Sequence, residues 1–283
     1  MGGPISINRW GMRGADVEET KPPGTVRVAF IGPSYIFGPG VPDSSTLPAS
    51  LATRLNAEAT YGGTAHYEVL NFGVSGTSII QALTLLDARA YQFSPDIVIV
   101  GIDSFIPSFI TKHLTDVVRN GISIPYAGLS QLLADCGVEL APNTGFPVPF
   151  EVARKMARAV GVQVRIPRPE IEQRVMMCDD TLTEWALEEI ASSARAHGAV
   201  PVAAVIDLVH EGPVVTSPKH RKLLAAASAA GFVIADARDV WVGRNPQDLQ
   251  FAPWDDHPGV YGNKLLADRL FEEMNRQNVF AGR

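Results

Sequence analysis

Apolar residues in this chain fall into short continuous runs separated by longer stretches in which they recur every three or four positions. That alternation is expected of parallel strands buried between helices. The first run is Val26–Ile31, and Tyr67–Phe72, Ile97–Val100, Pro201–Ile206 and Phe232–Ala235 read as four further strands. Helices are predicted near Leu47–Asn56, Ile79–Ala90, Leu182–His197, Pro218–Ala230 and Gly259–Met274. Ser45 or Thr46 would cap the first of these, with Pro48 tolerated in its first turn. Leu182, Trp185, Ala186 and Ile190 recur at helical spacing, which makes Trp185 a packing residue rather than a ligand platform. Strands alternating with helices imply an α/β fold, doubly wound, with right-handed crossovers placing helices on both faces of one parallel sheet.

The rhythm breaks between Pro107 and Met177. Amphipathic pieces near Ser108–Arg119, Gly128–Asp135 and Phe150–Ala159, the last two separated by the proline-rich Ala141–Pro149, suggest a mainly helical insertion over 107–177. Such a cap or side lobe beside a ligand crevice is a common place for specificity to be set. Residues 1–24 are polar and glycine-rich, end in Lys21-Pro22-Pro23-Gly24, and read as a lead-in arm. The α/β domain then comprises 25–106 and 178–283.

Composition narrows the partners. The 283 residues are 46% hydrophobic and 19% charged, enough for a substantial core. Lys and Arg number 24 against 30 Asp and Glu, and no basic tract follows a phosphate backbone, so no nucleic-acid partner is expected. No apolar run spans a bilayer, and the N-terminus lacks the charged-then-apolar order of a signal peptide. A soluble protein is expected, with the cytoplasm slightly favoured. Cys136 and Cys178 lack metal-ligand spacing, and one bond or two free thiols are equally compatible with them.

Candidate chemistry gathers where strands end. Gly32-Pro33-Ser34 follows the first strand, Gly73-Val74-Ser75-Gly76-Thr77-Ser78 the second, Gly101-Ile102-Asp103-Ser104 the third and Asp207-Leu208-Val209-His210 the fourth. Carboxyl ends of parallel strands form the ligand crevice of such sheets. A serine hydroxyl needs a base within reach to attack at neutral pH, and a histidine oriented by a carboxylate can serve as that base. Trp254-Asp255-Asp256-His257-Pro258-Gly259, in a loop before the last helix, supplies both. The structural alternatives are a turn-capping Ser34, a His257 closing the last helix, and an aspartate pair favouring that helix's positive end. Backbone amides at Ser34 and Gly73 are candidate oxyanion donors, while Asp103, Ser104, Asp207 and His210 would line the crevice. Asp103, Asp207, His210 and Asp236 could ligate a cation, but their spacing is not diagnostic, and no metal or cofactor is expected. His66, His113, His197 and His220 are assigned surface or packing roles.

These blocks resemble the SGNH family of GDSL-type serine hydrolases, a group of esterases, lipases and carbohydrate deacetylases. The resemblance covers Val26–Tyr91, Ala199–Met274 and the arm motif Ile5–Gly14. Gly32-Pro33-Ser34 with Gly38 stands where the family has Gly-Asp-Ser, and the proline in place of aspartate implies a rearranged elbow or a reused site. Asn71-Phe72-Gly73-Val74-Ser75-Gly76 matches the second block and implies the Gly73 amide as oxyanion donor. The third block's asparagine is missing: with Asp103 matched to the aspartate that follows it, the slot holds Ile102. His257-Pro258 fit the last block, with Asp255 preferred over Asp256 as the orienting acid, and Gly262 and Asn263 match its tail. The resemblance implies a flavodoxin-like three-layer α/β/α fold with a five-stranded parallel sheet. It also implies a serine-dependent ester hydrolase or deacylase acting through an acyl-enzyme on a small-molecule or carbohydrate ester. An O-acyltransferase to a sugar or other alcohol, and a non-catalytic ligand-binding domain, are the alternatives.

Overall fold

The computed structural model describes residues 5–59, 66–138 and 167–281. Its central sheet contains β1 (Thr25–Gly32), β2 (His66–Gly73), β3 (Ile97–Ile102), β4 (Val200–Val205) and β5 (Val233–Asp236), all parallel, in the order β2-β1-β3-β4-β5. The continuous apolar runs are explained by burial on both faces, since every residue of β3 and all but the first of β1 is buried.

Around the sheet run α1 (Ser34–Phe37), α2 (Leu47–Ala59), α3 (Ile79–Ala88), α4 (Ile106–Asn120), α5 (Ala127–Asp135), α6 (Arg168–Met177), α7 (Asp179–Ala196), α8 (Pro218–Ala229), α9 (Pro246–Leu249) and α10 (Val260–Arg276). Val28, Phe30, Ile97, Ile99, Val202 and Ala204 face Leu47, Leu51 and Leu55 of α2 and Leu266, Leu270 and Met274 of α10 in one apolar cluster. Strand alternation turns Ala29, Ile31, Val98, Val100 and Ala203 to the opposite face, also buried. On that side α3 packs on β1 with Leu83 and Leu86 buried; α7, with Ile190 and Ala194 buried, joins α3 through Ser193 Oγ, which donates to Asp87 Oδ1 at 3.0 Å. The fold is thus the expected three-layer α/β/α arrangement. Thr46 provides the cap to α2, its Oγ1 accepting the Ala49 amide at 3.3 Å.

The chain divides into two compact units, Met1–Ser104 with Ala186–Arg283, and Phe105–Trp185. The second is helical among its described residues. There α4 packs on α6, Arg168 pairs with Asp116 at 3.0 Å, and the rings of Tyr126 and Trp185 meet edge to face with centroids 5.8 Å apart. Cys136 and Cys178 form a disulfide with Cα atoms 6.3 Å apart. The amphipathic piece at Phe150–Ala159 and the proline-rich Ala141–Pro149 lie outside the described residues.

Two local expectations need correction, and one helix inside the expected helical insertion was not placed. The helix expected over Ile79–Ala90 stops at Ala88, and Ala90–Phe93 tightens into a 3-10 turn. Helix α6 was not foreseen because only Ile171 and Val175 of its ten residues are buried apolar positions. The loop expected at Trp254–Gly259 is half of a hairpin, in which β7 (Asp255–Pro258) pairs antiparallel with β6 (Gln250–Ala252).

The N-terminal arm forms no regular element, yet charged side chains tie it down. The Arg13 backbone also makes an antiparallel bridge to Asn71 on the edge strand β2. Arg27, its side chain fully buried on β1, pairs with Glu68 at 2.7 Å and donates to the carbonyls of Glu18, Glu19 and Phe93. Lys21 pairs with Asp96 at 2.7 Å.

Candidate active site

Strand β1 delivers Ser34 to the first position of α1. Glycines at neighbouring strand ends make room for this short helix. A Cβ on Gly32 would lie 2.7 Å from Ile36 Cγ1, and one on Gly73 would lie 2.2 Å from the Phe37 nitrogen. Pro33 sits here without strain: its φ of −77° lies in proline's own range, and its carbonyl accepts the Ile36 and Phe37 amides. The Ser34 amide, one residue into the helix, has no intrahelical partner.

The hairpin brings the other half of the site. In a strand, alternate residues share a face, so Asp255 and His257 point together and Asp256 points away. His257 Nε2 lies 2.6 Å from Ser34 Oγ, and its Nδ1 lies 2.6 Å from Asp255 Oδ1. The His257 amide also donates to Asp255 Oδ1 at 2.9 Å. Burial raises the Asp255 pKa, but the hydrogen bonds from the His257 amide and ring outweigh it and hold the carboxyl below its ordinary 3.8. Asp256 instead accepts from Gln250 Nε2 at 2.9 Å, and its carbonyl accepts the Val209 amide.

Gly73 does not offer the expected donor. Its amide already donates to Asn71 Oδ1 at 2.9 Å, and the residue is buried beneath α1, so its role is close approach. In the following turn the Val74 amide bonds Gly32 O at 2.9 Å and the Thr77 amide bonds Val74 O at 3.2 Å. Gly76, exposed at φ +73°, keeps an amide with no partner among the described residues. The glycine spacing of the turn was visible in the sequence, but not which amide the Asn71 side chain engages.

The remaining candidates disperse. Asp103 is buried at the end of β3 and faces the buried Tyr35 hydroxyl. Burial first, then the Asp103 and Asp207 charges, push the Tyr35 pKa well above 10.0, so it stays a neutral phenol. Ile102 is fully buried, and Ser104 follows half-buried. Asp207 lies 3.2 Å from Nε2 of the buried His220, whose Nδ1 is 3.2 Å from Ser217 Oγ. Asp207, expected to line the crevice, is thus a partner of His220, and His220 is a buried, hydrogen-bonded residue. His210 Nδ1 approaches only the Glu211 carbonyl, at 3.4 Å. Asp236 is gripped by Arg238 at 2.6 Å and 2.9 Å. Among the described residues no three His, Cys, Asp or Glu side chains converge as metal ligands, and no helix is long and apolar enough to cross a membrane.

No family model matches the chain, and no curated protein matches it. Solved structures of a distant but consistent group of esterases and lipolytic enzymes are similar to it. TesA shares 15% identity, covering 88% of this chain and 98% of that one, with a TM-score of 0.47. LAE5, an α/β hydrolase enzyme from the metagenome of Lake Arreo, Spain, shares 13% over 88% of this chain and 95% of its own, with a TM-score of 0.49. A putative lipolytic protein of the G-D-S-L family from Desulfitobacterium hafniense shares 13% over 88% and 99%, with a TM-score of 0.43.

Proposed function

We propose that this protein is a serine-dependent ester hydrolase or deacylase. The observation that carries the proposal is the unbroken hydrogen-bonded chain from Ser34 Oγ through His257 to Asp255, each link 2.6 Å. As Ser34 Oγ attacks the acyl carbon, His257 Nε2 takes the hydroxyl proton, while Asp255 holds the imidazole by Nδ1 and stabilises its charge. The amides of Ser34 and Gly76 receive the oxyanion. The imidazolium then returns its proton to the departing alcohol, and water repeats the sequence to free the acid from Ser34. The resemblance puts Ile102 in the slot of a side-chain donor, and losing one such donor costs about 3 kcal/mol in the transition state. Activated aryl esters are therefore the expected best substrates.

Fluorophosphonate labelling together with turnover of short-chain aryl esters tests the proposal. Wild type should be labelled at Ser34, and folded Ser34→Ala and His257→Ala should lose labelling and at least about 10³-fold in kcat. Turnover unchanged in Ser34→Ala removes Ser34 from the mechanism. Ester binding by an unlabelled wild type points to a ligand-binding domain, and acyl transfer to added alcohols in preference to water points to an acyltransferase.

A further inference from the structure

Arg13 lies in an arm without regular structure, yet its side chain is completely buried. Its guanidinium donates from Nε to Asp43 Oδ1 at 2.9 Å, from Nη1 to Phe37 O at 2.9 Å and to Gly38 O, and from Nη2 to Val41 O. The guanidinium carbon lies over the Phe37 ring, 5.1 Å from the centroid. Phe37 is the last residue of α1, and Gly38 closes that helix at φ +82° with its amide on Ser34 O at 2.8 Å. The preceding carbonyl, of Ile36, accepts from Asn71 Nδ2 at 3.0 Å, and Asn71 is the residue whose backbone pairs with Arg13. The carbonyl end of the nucleophile's helix is thus held by two side chains, one of them a cation from the arm.

A helix of one turn has almost no stability of its own, because the nucleus is the costly part. Where α1 sits is decided by what grips it. A guanidinium makes an effective grip because its planar fork bonds several carbonyls at once and its charge meets the negative end of the helix. Asp43 completes the clamp by accepting from Arg13 and from the Ser6 amide, at 3.0 Å. Burial works against the charge on Asp43, but these hydrogen bonds prevail and hold its carboxyl below the ordinary 3.8.

We propose that Arg13 is a positioning residue: by anchoring the carbonyl end of α1 it holds Ser34 Oγ in line with His257. This rests on the hydrolase reading above. Displacing a nucleophile by about 1 Å can cost about 10²-fold in rate, and that is the loss expected in kcat when the clamp is removed, with KM little changed.

The test compares wild type, Arg13→Ala and Arg13→Lys in aryl-ester turnover and fluorophosphonate labelling, well below each variant's unfolding temperature. Arg13→Ala should label and turn over about 10²-fold more slowly, and millimolar guanidinium, but not equal sodium chloride, should restore part of kcat. Arg13→Lys keeps the charge without the fork and should lose roughly tenfold; it carries the test if Arg13→Ala does not fold. A labelled wild type with wild-type kcat in either folded variant overturns the proposal, as does a loss in Arg13→Ala that guanidinium leaves untouched. A wild type that is never labelled at Ser34 overturns the hydrolase reading, and this inference with it.

Discussion

Asp255 and Asp256 are neighbours with opposite surroundings, one on the imidazole and the other on Gln250. Asp255→Asn is expected to lower kcat by about 10³- to 10⁴-fold, because the imidazole loses the partner that fixes its tautomer. Asp256→Asn should stay within about 0.5 kcal/mol in stability and near wild-type turnover. The depressed carboxyl of Asp255 adds a pH signature. A group whose folded pKa is lowered contributes fully above its unfolded value and loses that contribution as pH falls through the folded one. The stability difference between wild type and Asp255→Asn, followed by denaturant titration, should therefore hold above about pH 4 and shrink at lower pH. Ser34 and His257 were legible because each stands beside a recognisable strand or helix boundary. Which of the two glycine amides stays unpaired was not, since it depends on the rotamer that turns the Asn71 side chain onto the Gly73 amide two residues on.

Helix α1 depends on the bare strand ends beneath it. Gly73→Ala would drive a methyl against the Phe37 backbone. It should destabilise the protein by about 1–3 kcal/mol through overpacking and reduce turnover by moving Ser34; thermal unfolding and ester kinetics read the two effects separately. The hairpin that carries His257 escaped the sequence because Asp255-Asp256-His257 has no apolar alternation, and its strand character comes from pairing with Gln250–Ala252. The main strands were easier, since their burial on both faces writes an uninterrupted apolar signal. The disulfide was illegible for another reason: a separation of 42 positions says nothing about whether two thiols meet. Closing a loop of that size should stabilise the Phe105–Trp185 unit by about 4 kcal/mol on the chain-entropy model. Cys136→Ser with Cys178→Ser, followed by thermal unfolding and limited proteolysis, measures it, and the loss should localise to that unit.

Ser34, Asp255 and His257 all belong to the unit formed by Met1–Ser104 and Ala186–Arg283, so the hydrogen-bonded chain lies within one unit although its members lie far apart in sequence. The parallel sheet makes that meeting possible, because strands from both parts of the chain lie side by side in the order β2-β1-β3-β4-β5. This much followed from the alternation of apolar runs and helices; the way the arm is fastened to the sheet edge did not, because side-chain grips by Arg13, Lys21 and Arg27 leave no periodic trace. The bond between Ser34 and His257 spans 223 positions. On the proposed mechanism a nascent chain would carry Ser34 long before His257, and an N-terminal fragment ending short of the hairpin would lack the proposed base. If the proposed mechanism holds, ester turnover would report that the hairpin has been made, and shorter fragments would not attack esters around them.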